Sequence, residues 1–323
     1  MRRATVLSLA LVLLVFAAGA AYAIFSKQRT VPGNAITTAT DWSPPTTSSS
    51  VIAKTVGYTP GYIKQGGTYY VYANVADVGN PPAGISTVTA DVSTITTGST
   101  AVSLVSGSYS VGGVSYNYRT ASITANASLS AATYTYSITA TDAGSRSATT
   151  NSWSVIVDNT APTASDIQAV NKTGGITGRA EIADTITYTF SEPIDPNSIL
   201  SGWTGTSTNV VLRLNDGGLG NDSVTIFNAA NSAQLPLGSV NLGRTDYTSV
   251  GVNLTFGASS TPSTMVMSGN AITITLGTQS AAATTAGGNG TMVWTPSATA
   301  TDRAGNAGST ATRNETTPTD KEF

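Results

Sequence analysis

From about Val56 onward, apolar and polar residues alternate with a period of two, the spacing of strands that bury one face. In the first such run Tyr69, Val71, Ala73 and Val75 share one face, and Tyr70, Tyr72 and Asn74 the other. Similar runs follow at Val88-Ala90-Val92, Val114-Tyr116-Tyr118, Tyr134-Tyr136-Ile138 and Trp153-Val155-Val157. Between them lie Gly79-Asn80-Pro81-Pro82, Ser106-Gly107-Ser108 and Gly112-Gly113, residues that suit turns because they fix φ or tolerate positive φ. Asp158-Asn159-Thr160-Ala161-Pro162 interrupts the series, since proline cannot donate to a central ladder. A second series then runs through Ile186-Tyr188-Phe190, Val210-Leu212-Leu214, Val224-Ile226, Val252-Leu254-Phe256, Ile272-Ile274-Leu276 and on from Val293. Beyond the N-terminal segment, helical periodicity is confined to a single turn expected over Asp195 to Leu200.

About seven short strands within roughly 100 residues is the pattern of an immunoglobulin-like sandwich. The expected fold is therefore all-β: two tandem immunoglobulin-like β-sandwich domains after an N-terminal signal helix. The first spans residues 56–160 and the second, larger one residues 161–311. Residues 24–55, rich in Ser, Thr and Pro, read as an arm or linker, and residues 312–323 as a polar tail.

The N-terminus changes the picture from fold to compartment. Arg2 and Arg3 precede an apolar run from Val6 to Ala21, and Ala21-Tyr22-Ala23 supplies small residues around a cleavage point after Ala23. Residues 1–23 thus read as a signal peptide and the mature chain as secreted or surface-associated. The run is shorter than the ~20 residues a spanning helix needs. An uncleaved segment would be the chain's sole route to a membrane. With no cysteine in that region a lipid anchor is not expected, nor is covalent anchoring through residues 312–323, which show neither a hydrophobic tail nor a sorting motif.

Composition then removes whole classes of chemistry. The 323 residues include no Cys and no His, so disulfides, thiolate metal sites and the Ser-His-Asp and Cys-His constellations are excluded. Charged residues make up 10% of the chain and the net charge is -2, which leaves no basic field for nucleic acid. Ser, Thr, Asn and Gly supply the polarity instead, and threonine suits the exposed face of a sheet.

Ala140-Thr141-Asp142-Ala143-Gly144 and Ala300-Thr301-Asp302-Arg303-Ala304-Gly305-Asn306 are near repeats, each close to the end of its series. Val157 to Pro162 resembles the junction between tandem bacterial Ig-like repeats, and Phe190-Ser191-Glu192-Pro193-Ile194-Asp195 resembles the early-strand motif of bacterial Ig-like domains in exported surface proteins. This resemblance covers both halves in outline, through motifs of a few residues. It implies an extracellular scaffold or adhesion module, a class in which fold does not fix function. Phe25-Ser26 and Gly33-Asn34 resemble the start of camelysin-like exported fibre proteins, a likeness confined to that short stretch.

Five sets of residues are weighed as candidate sites. Asp142 and Asp302 suit turns, the carboxylate accepting nearby amides and glycine taking positive φ. Asp142, Asp158 and Asn159 are expected near the junction, where their oxygens would suit a structural calcium ion as in the cadherin-like linkers this stretch resembles. Gly217-Gly218-Leu219-Gly220-Asn221-Asp222-Ser223-Val224 matches one copy of a calcium-binding β-roll nonapeptide, but a lone copy reads better as a hairpin turn. Tyr70 and Tyr72, with Tyr58, Tyr62, Tyr116 and Tyr118, would line an outer sheet face as a partner or glycan surface, or pack across strands. The carboxylates Glu181, Asp184, Glu192 and Asp195 show no spacing that implies a shared catalytic cleft.

The expected function is a non-enzymatic secreted or cell-surface structural or adhesive protein without a cofactor. The alternatives are a glycan-binding accessory module, carried by the tyrosine-bearing strands, and a self-assembling surface fibre subunit, carried by the Phe25-Ser26 start and by unpaired strand edges.

Overall fold

The structure, a computed structural model, describes residues 41–316 and 319–323. The expected signal helix and the first part of the expected arm lie outside the described residues. The described chain is almost entirely β, arranged as two units that each enclose a separate apolar core.

The first unit contains β1 (Thr46–Lys54), β2 (Tyr62–Ile63), β3 (Thr68–Ala76), β4 (Ile85–Asp91), β5 (Val102–Val111), β6 (Val114–Thr120), β7 (Ile123–Thr124), β8 (Ala132–Asp142) and β9 (Ser147–Val157). Their order is β1-β3-β6-β5-β4-β8-β9-β2, with β7 on β3. Strand β5 pairs β4 at its start and β6 along the rest, so one strand passes from one layer to the other. Gly61 closes the circuit: its amide donates to the Ile52 carbonyl of β1, and its carbonyl accepts from Ile156 of β9. The alternation predicted for β3 is observed, with Tyr69, Val71, Ala73 and Val75 buried in the core.

The second unit contains β10 (Ala164–Val170), β11 (Thr185–Phe190), the helical turn α1 (Pro196–Ile199), β12 (Thr208–Asn215), β13 (Ser223–Asn228), β14 (Gln234–Asn241), β15 (Leu254–Phe256), β16 (Ser263–Ser268), β17 (Ala271–Thr275), β18 (Val293–Thr295) and β19 (Arg313–Asn314). The order is β10-β11-β17-β16-β12-β13-β14-β18-β19, with β15 on β12. Trp294 is fully buried between Tyr188 and Phe190 in edge-on contacts, and its indole N–H donates to the Leu237 carbonyl at 2.6 Å. A large aromatic body thus fills the core while its polar atom is satisfied, as burial requires. α1 is the expected turn, capped by Asp195, whose side chain accepts from the Asn197 amide.

Two boundaries differ from the sequence expectation. The second half of the arm is β1, which buries Ile52 against β3. Its run of Thr and Ser hides the strand because only Val51-Ile52-Ala53 is apolar. The expected tail is part of the second unit: β19 pairs β18, the Thr316 amide donates to Asp166 of β10, and Phe323 sits in the core against Tyr247. A single apolar residue anchors this segment and backbone hydrogen bonds hold the rest, so it has no legible hydrophobic pattern.

The units meet end to end. Lys54 at the end of β1, β2 and the end of β9 face the start of β10, the end of β11 and the 301–307 turn of the second unit.

Candidate functional site

The site is built on two copies of one turn. In each, an aspartate amide donates to the carbonyl four residues on: Asp142 to Arg146, and Asp302 to Asn306. Each aspartate carbonyl accepts from the amide three residues on, Ser145 or Gly305. Each Oδ1 also accepts a backbone amide, from Arg146 at 2.8 Å and from Asn306 at 2.8 Å. The turn reading of Asp142 and Asp302 thus matches their geometry. The residue with positive φ is Ser145 (65°) in the first copy and Gly305 (92°) in the second. Gly144, two residues after its aspartate where Gly305 is three after its own, is therefore not the residue with positive φ.

The second turn is the contact point between the units. Lys54 Nζ lies 2.5 Å from Asp195 Oδ2 and donates to the carbonyls of Asp302 (3.3 Å) and Arg303 (2.6 Å). Lys64 Nζ donates to the Gly305 carbonyl at 2.7 Å, and Asn306 Nδ2 to the Asp158 carbonyl at 2.9 Å. The Arg303 guanidinium lies over the Tyr62 ring, 5.5 Å from its centre. The Asp195 carboxylate is 1% exposed and also accepts from the amides of Tyr58 and Asn197, so the buried charge is fully surrounded by donors. Buried ion pairs hold only under such conditions, because desolvation otherwise outweighs attraction.

Three carboxylates converge beside this contact: Asp158, Glu192 and Asp302, with oxygens within 4.8 Å of one another. Desolvation is the first cause that raises Glu192, to about 7, followed by the negative charges of Asp158 and Asp302 and by a hydrogen bond with Asp158. Burial likewise raises Asp302, against the opposing hydrogen bonds from Asn306 and Gly305. Asp302 is engaged by its own turn, with Oδ1 accepting from Gly305 and Asn306 amides and Oδ2 accepting from Asn306 Nδ2.

The calcium arrangement expected for Asp142, Asp158 and Asn159 is corrected by these positions. Asp142 ends β8, whose start, Ala132, pairs with Val157 at the junction; eleven residues of strand separate it from Asp158 by about 34 Å at ~3.4 Å per residue. The Asn159 side chain is turned to backbone, its oxygen accepting from Gln65 and its amide donating to the Leu129 carbonyl. Glu192 and Asp302 stand beside Asp158 instead. Sequence spacing could not reveal this, since which end of a strand meets the next unit depends on topology.

The tyrosines form a separate cluster. Tyr70 and Tyr72 share the outer face of β3, as the alternation predicts, and Tyr72 packs against Tyr109 and Tyr116. Arg119 lies between rings, 4.3 Å from the Tyr70 centre and 4.4 Å from that of Tyr109. Tyr72 and Tyr116 are buried and Tyr70 half-buried, so the rings pack chiefly on one another and on the guanidinium. Tyr118 departs from Tyr116 and packs toward the core. The cause is an opening of the β3–β6 ladder, bridged by side chains: Asn74 Oδ1 accepts the Asn117 amide, and Asn117 Oδ1 accepts the Val75 amide. Tyr58 and Tyr62 lie at the junction rather than on this face.

The remaining candidates serve the fold. Asp222 Oδ2 accepts the amides of Tyr247 and Thr248 and its Oδ1 that of Gly217, the hairpin-turn reading of the nonapeptide. Glu181 and Asp184 lie at the far end of the second unit, opposite the end holding Glu192 and Asp195. There Glu181 pairs with Arg179 and accepts the Ile176 amide, and Asp184 accepts the amides of Lys172 and Glu181. A third group, Glu315, Asp320 and Glu322, brings carboxylates together near the chain's last residues; burial first, then Glu315 and Asp320, push Glu322 up to about 9.

Lys54, Lys64 and Arg119 are not marked by the strand pattern or the motifs, and Asn306 enters there only as part of the repeated turn. In a chain with only 15 Lys and Arg residues, a lysine ending a strand is itself a signal. No family model matches the chain, and no curated protein matches it in sequence.

Proposed function

We propose that the protein is a non-enzymatic structural or adhesive component of the cell exterior, in which two divergent Ig-like sandwiches form one stiff module. The observation that carries this reading is the Lys54–Asp195 contact with its surrounding carbonyl acceptors. Charge-assisted hydrogen bonds buried between units resist hinge motion, whereas a polar linker alone leaves tandem domains free to move. The Arg2-Arg3 signal pattern, the short tandem-repeat motifs and the absence of Cys and His support export and a non-catalytic role. The passage of β5 between layers supports the sandwich assignment. Glu181, Asp184 and Asp195 are divided between opposite ends of the second unit and each accepts backbone amides, an arrangement suited to turns.

The test is a distance measurement between spin labels placed one on each unit, combined with fractionation of the native host. A single narrow distance and a mature chain in the medium or on the surface are expected. A broad distance distribution would remove the stiff-module reading, and a cytoplasmic chain would remove export.

A further inference from the structure

We infer that the free end of the first unit, comprising the Asp142–Arg146 turn with Asp41 and Trp42, receives the far end of the second unit of another copy of this chain, so that copies join head to tail. The inference rests on the junction reading above and adds to it a partner.

The free end repeats the junction's contact between a leading aspartate and the turn, although the turn residue that reaches it is Arg146 in one copy and Asn306 in the other. At the junction, Asp158 Oδ1 accepts the Thr160 amide at 2.9 Å, and the Asp158 carbonyl accepts from Asn306 of the turn at 2.9 Å. At the free end, Asp41 Oδ1 accepts the Ser43 amide at 2.8 Å, and the Asp41 carbonyl accepts from Arg146 Nε of the turn at 2.6 Å. Each segment continues through proline into the first strand of its unit: Pro44 and Pro45 before β1, Pro162 before β10. An arginine caps an aromatic ring at both places, Arg303 over Tyr62 and Arg146 over Trp42. At the junction the ring belongs to the neighbouring unit. At the free end it comes from the leading segment of the same unit.

The two ends differ in what covers them. Around the second turn Ala304 is buried beneath the first unit. Around the first turn Ala143, Gly144 and Ser145 are exposed, Trp42 is 71% exposed, and Val78 is exposed nearby. Among the described residues, one turn is therefore covered and its repeat is bare. The occupant is indicated by the far end of the second unit, which corresponds to the end of the first unit that fills the junction. There β10 ends at Val170 opposite Thr185, as β1 ends at Lys54 opposite Tyr69. A lysine, Lys172, follows β10, its ammonium 3.8 Å from Glu181. Val170 is 57% exposed, and Ile176 and Ile182 are exposed beside it. Apolar residues left bare at both ends of one chain match a heterologous contact, which propagates into filaments unless its rotation closes a ring.

The chain has no cysteine of its own, so introduced thiols report on geometry without background. The test uses the full chain with Ala143→Cys at the free end or Thr173→Cys at the far end. Mixing the two single variants under mild oxidation is expected to give disulfide-linked dimers that neither variant gives alone, and the double variant a ladder. Sedimentation velocity of the unmodified chain is expected to show mass growing with concentration. Val170→Glu and Trp42→Ser, both at exposed positions, should each abolish that growth while leaving the thermal transition in place. Monomer at every concentration without mixed cross-links would overturn the inference, as would dimers from Ala143→Cys alone, which mean end-to-like-end pairing. A stiff monomer would refute assembly and leave the junction reading standing; a flexible one would refute the junction reading.

Discussion

Lys54 of the first unit and Asp195 of the second form an ion pair of 2.5 Å, with the carboxylate 1% exposed and the ammonium also bound by two carbonyls of the 301–307 turn. The pair joins the end of the first strand of one unit to the cap of α1 in the other. Local sequence patterns govern neither partner's choice of the other; the stacking of the units does.

Lys54→Ala is expected to destabilise the contact by about 3 kcal/mol, the lower part of the range for removing one partner of a buried pair. The lower part applies because Asp195 keeps its amide donors from Tyr58 and Asn197. Calorimetry should show one cooperative transition in the parent and two in the variant. An unchanged single transition would mean that the contact does not couple the units.

Glu192 makes the junction sensitive to pH. Its carboxyl is raised from 4.5 to about 7, so between these values the folded chain holds more protons than the unfolded one. Stability from this group is full below pH 4.5 and is lost as pH rises through 7. Glu192→Gln, which cannot ionise, should be more stable than the parent at pH 8 and equal to it near pH 4. Urea midpoints across this range provide the measurement, and the slope should shrink without vanishing, because Asp302 is raised in the same direction.

The tyrosine face is expected to behave as packing. Arg119→Ala removes a guanidinium stacked between Tyr70 and Tyr109, an interaction worth roughly 1–2 kcal/mol when partly desolvated. Tyr72→Ala, at a buried ring touching three other tyrosines, should cost more, about 3–5 kcal/mol. Denaturant unfolding measures both. A glycan-array signal lost in Tyr70→Ala at unchanged stability would instead favour a sugar-binding face.

The strand faces were legible because burial imposes its period directly: Tyr69, Val71, Ala73 and Val75 could hardly be divided otherwise. β1 and the 312–323 segment were not, because each is anchored by a few apolar residues, Ile52 in one case and Phe323 in the other. The turn at Asp142 and Asp302 was legible as a local motif. Its role was not, since turns with the same hydrogen bonds stand at two ends that differ in what covers them among the described residues, and only the order of the sheet decides which. Asp142 failed as a junction residue for that reason, and Glu192 and Asp302 took the place beside Asp158.

The repeated turn also offers an internal control on backbone strain. Ser145 holds φ of 65° where the second copy has Gly305 at 92°. A left-handed conformation costs an L-residue roughly 1–2 kcal/mol that glycine does not incur. Glycine loses about 0.5–1 kcal/mol through its freer unfolded chain. Ser145→Gly should therefore stabilise the first unit by up to about 1.5 kcal/mol. Gly305→Ala should act in the opposite direction, because it adds the same backbone strain and sets a methyl 3.5 Å from Lys54 Cδ, within the contact between units. The two substitutions are distinguished by what they disturb. Ser145→Gly should shift only the stability of the first unit, whereas Gly305→Ala should lower stability and loosen the junction, broadening the inter-unit distance distribution. Matched changes of the same sign would show that the two turns do not share a backbone conformation.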